Sequence, residues 1–163
     1  MRPSRRLLRA LPLAAAILAI GVTGVALATT GSGISTTNIS VGLFDDIRVK
    51  SHLDGHKTLI DTKGPSDLHV VSNVIALGGH TGWHTHPGPS LITVKSGTIT
   101  AYEGDDPTCT GRVYTAGQGF VDPGDGHIHI LRNEGAVAAE TVAVQLLPHG
   151  AGRRIDVPDP GNC

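Results

Sequence analysis

The chain has 163 residues, with 13 Lys and Arg against 14 Asp and Glu, one Trp, two Tyr and two Phe. A length of this order fits one domain. A near-neutral balance without a basic cluster past the first few residues excludes nucleic acid as the expected partner and leaves small molecules and ions.

Residues 1–28 read as an export signal. Arg2, Arg5, Arg6 and Arg9 form a positive head, Ala10–Ala28 carries no charge, and Ala26-Leu27-Ala28 fits a small-x-small cleavage site. The uncharged run is just long enough to span a bilayer, so an uncleaved N-terminal membrane anchor is the competing reading. Ser4-Arg5-Arg6-Leu7-Leu8 resembles a twin-arginine signal, with an ordinary arginine-rich head as the alternative. The expected address is secreted or extracytoplasmic, and membrane-anchored if the signal stays. Taking the four head arginines from the 13 basic residues leaves nine against 14 acidic ones, a net charge of −5.

Residues 29–66 are expected to hold an N-terminal strand and loops. Thr29–Asn38 is rich in Gly, Ser and Thr and reads as a linker. Ile39–Lys50 alternates apolar residues and suggests an edge strand with a turn at Asp45-Asp46. Ser51–Gly64 is polar and turn-rich, and its His52 and His56 read as solvent-exposed loop residues rather than ligands.

Residues 67–148 read as the barrel core. Asp67–Leu77 is rich in β-branched residues and predicts a buried strand, ended by Gly78-Gly79. Thr81–Pro87 is a first histidine strand, broken by Pro87-Gly88-Pro89. Ser90–Lys95 and Thr98–Tyr102, joined by Ser96-Gly97, read as a hairpin. Gly111–Ala116 is a short strand, and Pro123-Gly124 marks a turn. Gly126–Arg132 is a second histidine strand. Asn133-Glu134-Gly135 predicts another hairpin turn into Ala138–Leu147, and residues 149–163 read as an irregular tail. Many short strands between glycine turns, without helical periodicity, predict an all-β jelly roll or closed barrel, which removes exposed edges.

His84 and His86 stand two apart in an extended segment, so both imidazoles leave on one face. His129 lies in the other histidine strand. Three imidazoles from two strands form a site of the kind that iron, nickel, copper and zinc accept. His127 shares strand parity with His129 and competes with it, unless a bulge turns it outward. Ser90 shares parity with Ile92 and Val94 and is expected to line the barrel. Gln145 on the last strand faces either the ion, as a supporting amide, or solvent. Tyr102 is an acid/base candidate near the site, with packing as the alternative. Cys109 and Cys163 are the two cysteines, and in an exported chain they are expected to bridge.

These residues resemble the cupin superfamily, and in particular its small, exported, single-domain actinobacterial members. Gly78, five residues, then His84-Thr85-His86 and finally Gly97 follow the first cupin motif, with Ser90 where the family has glutamate. Gly117, Pro123, His129 and Asn133 follow the second, with one extra residue before the histidine, so that Gly126 takes the second glycine's role imperfectly. The resemblance implies a double-stranded β-helix barrel in which His84, His86 and His129 hold a divalent transition metal: Fe, Mn, Ni, Cu or Zn. Related cupins with three histidines include iron dioxygenases that cleave diketones or oxidise thiols. A metal-dependent dioxygenase-type activity on a small molecule is one implied function. A non-catalytic extracytoplasmic module that binds a metal or small ligand is the other. Homodimerisation through a sheet face is implied in the same way.

Overall fold

A computed structural model describes residues 27–163, and no described residue lies in a helix. The expected export signal falls almost wholly outside the described residues. Ten strands form one sheet that wraps into a nearly closed barrel, and two more form a separate hairpin. The all-β expectation holds.

One half of the barrel is built on β4 (Ser66–His80). β1 (Ser32–Phe44) runs antiparallel along one edge of β4, from Ile34 opposite Ile75 to Phe44 opposite Ser66. β11 (Ala139–Pro148) lies along the other edge, followed outward by β6 (Ser90–Ser96) and β9 (Gly119–Asp122). The second half places β10 (His129–Arg132) between β5 (His84–Thr85) and β7 (Thr98–Glu103). β12 (Ile155–Asp156) and β8 (Arg112–Thr115) complete its two sides. The halves join where Arg132 of β10 pairs with His80 at the end of β4.

Four local expectations are corrected. The stretch read as a linker is mostly β1: its Ser, Thr and Ile residues suit an extended chain, and the edge of β4 supplies the hydrogen-bond partners. Residues read as a loop form the hairpin of β2 (Arg48–Leu53) and β3 (His56–Asp61). Its turn, Asp54-Gly55, has φ of 46° and 84°, the double left-handed geometry for which Asp-Gly is suited. His52 and His56 are exposed there, as expected. Ser96-Gly97 makes no hairpin, because β6 and β7 lie in opposite halves and the chain crosses between them. Gly97 has φ of 74°, and a Cβ there would stand 2.8 Å from the Ala139 backbone, so the crossing packs directly on β11. Residues 133–135 likewise carry the chain from β10 in one half to β11 in the other.

Along β6 and β10 the inward side chains pass from polar to apolar. β6 turns in Ser90, Ile92 and Val94; β10 turns in His129 and Leu131; β11 turns in Gln145, Ala143, Thr141 and Ala139. The apolar end is the core: Ile75, Val94, Ile99, Ala101, Leu131 and Ala139 pack together, with Tyr114 and Phe120 against them. Burying each of the larger aliphatic side chains there contributes about 1.5–3 kcal/mol. The barrel is therefore plugged at one end, which leaves the other for the polar groups.

Candidate metal centre

His84 of β5 and His129 of β10 are direct antiparallel partners, so their rings leave on one face. His86 follows two positions after His84 on the same side. The three ring centroids lie 4.3–5.5 Å apart, and one nitrogen from each ring falls within 4.8 Å of the others. All three side chains are buried.

Backbone carbonyls fix two of the rings. His84 Nδ1 donates to Gly82 O at 2.9 Å, and His86 Nδ1 donates to Arg153 O at 2.7 Å. Each ring thereby keeps its Nε2 free, the arrangement that metal-ligating histidines adopt. Burial holds His84 well below the usual imidazole range, lowers His86, and lowers His129 to about 4. At neutral pH the three rings are neutral, the form in which imidazole binds a metal.

Ser90 and Gln145 both face the site and are fully buried. Gln145 Nε2 donates to Ser90 Oγ at 3.0 Å and lies 3.2 Å from His86 Nδ1. Of the open alternatives for Gln145, the inward one holds. His127 does not reach the cavity. Asp125 and Gly126 both have positive φ (51° and 85°), and the turn sets His127 behind His129. There its Nδ1 donates to Asp122 Oδ1 at 2.9 Å, while its Nε2 lies 3.0 Å from Glu103 Oε2. Tyr102 does not line the site, and its packing alternative holds. It pairs with Ile130, on the face opposite His129, and its hydroxyl donates to Glu134 at 2.9 Å with Arg132 over its ring. Cys109 and Cys163 are joined in a disulfide, with Cα atoms 5.3 Å apart.

The sequence reading missed Asp122. It sits opposite Ser90 in the β6–β9 pair and so shares Ser90's inward face. Its carboxylate is 2 % exposed. Oδ1 lies 3.6 Å from His129 Nδ1, and Oδ2 lies 3.9 Å from His86 Nε2. Asp122 Oδ2 and His129 Nδ1 are both buried without a hydrogen-bond partner. Buried polar atoms are rarely left so, and an orphaned carboxylate oxygen beside neutral imidazoles is a donor set that fits a cation. The turn after Asp122 is pinned to the first histidine segment. Gly124 has φ of 70°, a Cβ there would stand 2.9 Å from Gly88 Cα, and Asp125 N donates to His86 O at 2.9 Å. Arg153 and Arg154 were also missed. With the histidines they line a cavity of about 190 Å³ that runs into the barrel toward Thr141, Asn73 and Thr36.

No protein-family model and no curated protein matches the sequence. Solved structures do match in fold. Peruvianin-I, a cysteine peptidase from Thevetia peruviana latex, is 23% identical over 77% of this chain and 68% of its own, with a TM-score of 0.50. An uncharacterised conserved protein with a double-stranded β-helix domain from Klebsiella pneumoniae is 23% identical over 69% of this chain and 84% of its own (TM-score 0.48). A cupin 2 conserved barrel domain protein from Leptotrichia buccalis is 15% identical over 69% of this chain and 40% of its own (TM-score 0.46). The fold is the double-stranded β-helix.

Proposed function

We propose that this cupin-type barrel is an exported metal-binding protein, with a divalent transition metal held by His84, His86 and His129, acting as a metal-dependent oxidoreductase of the dioxygenase type on a small molecule. The observation that carries the metal reading is the pair of buried, partnerless atoms, Asp122 Oδ2 and His129 Nδ1, with His86 Nε2 3.9 Å from that carboxylate oxygen and the three imidazoles clustered. In this reading Asp122, from the strand opposite, supplies the carboxylate that the family places at position 90. When bound, the ion acts as a Lewis acid toward an oxygen-bearing ligand. The chain's own residues do the rest. Gly82 and Arg153 carbonyls orient the imidazoles, Gln145 and Ser90 form a hydrogen-bonded pair on the wall beside His86, and the apolar end of the barrel excludes water. The Cys109–Cys163 bond supports an oxidising, extracytoplasmic location.

The rival reading is a non-catalytic binding module. One observation favours it: Asp156, a carboxylate on the cavity wall, is paired with Arg154, which leaves it poorly placed to move a proton. One experiment separates the two. Protein exported by its native route is analysed for bound metal, then screened for oxygen consumption with diketones, thiols and phenols. A redox-active ion with substrate-dependent uptake supports the oxidoreductase; zinc without uptake supports the binder. Alanine at His84, His86 or His129 empties the site while the barrel stays folded. Wild-type levels of bound metal in all three variants refute the metal site.

A further inference from the structure

The charge on the cavity wall is unbalanced, and the imbalance sits on Arg153. This residue lies in the tail beyond β11. Its carbonyl oxygen holds His86, so its backbone is fixed beside the metal cluster. Its side chain is half-buried, and Nη1 donates to Gln145 Oε1 at 3.2 Å. Among the described residues no carboxylate forms an ion pair with it. Its neighbour differs: Arg154 is paired with Asp156 and donates to Thr81 O at 2.6 Å. Asp156 is paired with Arg154, and Asp122 is not among the residues that line the cavity. A guanidinium taken partly out of water without an anion is costly, and its planar fork matches a carboxylate.

From this arrangement we infer that the cavity binds a small hydroxy- or keto-carboxylate, with its carboxylate on Arg153 and its second oxygen function directed at the metal cluster or the polar wall beyond. The inference rests on the metal reading above for that second contact alone. The wall supplies neutral donors and acceptors: Thr36 Oγ1 donates to Asn73 Oδ1 at 2.7 Å, and Asn73 Nδ2 lies 3.5 Å from Thr141 Oγ1. Such groups pair with hydroxyl or carbonyl oxygens rather than with a second charge. Size sets the upper bound. The cavity, about 190 Å³, is a small one and suits an acid with a short carbon chain.

The test is calorimetric titration of metal-loaded protein with lactate, pyruvate and malate, and with lactamide as the uncharged control. At least one acid binds wild type, lactamide binds at least ten-fold more weakly, and Arg153→Gln loses at least ten-fold in affinity for the acid with bound metal per chain unchanged. Arg153→Lys, which keeps the charge and loses the fork, falls between them. Arg154→Gln changes acid affinity less than Arg153→Gln. Equal binding of lactamide, wild-type acid affinity in Arg153→Gln, or no binding of any acid overturns the inference. Titrating metal-free protein separates the two readings. If no ion loads, yet an acid binds and Arg153→Gln abolishes it, the anion site stands and the metal site falls.

Discussion

Replacing both disulfide cysteines, Cys109→Ser with Cys163→Ser, tests the link between stability and the site. The bond joins positions 54 apart. Closing a loop of that length removes about 14 cal/mol/K of unfolded-chain entropy, or about 4 kcal/mol at 25 °C. For a domain of this size the same loss lowers Tm by about 10–20 °C. A second effect is local. The bond anchors a tail in which Val157 N donates to Trp83 O, Asn162 Nδ2 donates to Glu103 O, and Arg153 O holds His86. Freeing the tail loosens His86, so metal affinity falls together with stability. The assay is urea unfolding of the double variant against wild type, followed by chelator competition for the ion. A stability loss under about 1 kcal/mol refutes the entropic argument. A full stability loss with unchanged metal affinity refutes the coupling of tail to site.

Asp122→Asn lowers metal affinity about ten- to a hundred-fold in chelator competition, and Ser90→Glu on that background restores much of it, because the two positions face each other across β6 and β9. Metal-free protein loses stability as pH falls. His129 titrates at about 4 when folded and near 6.5 when unfolded, so the unfolded chain takes up the proton first; the stability is whole above pH 6.5 and declines toward pH 4, by about 3 kcal/mol from this residue in pH-dependent urea melts. Gly124→Ala, at φ of 70° and against Gly88, destabilises by about 2 kcal/mol or more in the same melts and weakens metal binding by shifting Asp122.

Much of the site was legible because strand parity is local. The spacing of His84 and His86 put both rings on one face, and the parity of Ser90 put it inside; the structure agrees on each. What escaped was non-local. Asp122 becomes part of the site only when β9 pairs with β6, and nothing near residue 122 announces that partner beyond an acidic residue before a proline turn. Arg153 reaches the cavity because the tail folds back across β5, in a stretch with no periodicity to read. The failed hairpins have the same origin. A short glycine turn looks alike whether the next strand pairs with the last or crosses to the other half, and the difference lies in which distant edge is free. The β2–β3 hairpin was missed for a different reason: Asp54-Gly55 is a local hairpin signal, but the polar residues around it were read as a loop.

The placement of β12 against β5 sets an order of events during synthesis. Ile155 and Asp156 pair with Thr85 and His84, and Arg153 closes over His86. The imidazoles of the cluster are therefore made before the segment whose carbonyl aligns His86, and that alignment waits on a partner 67 residues further along the chain.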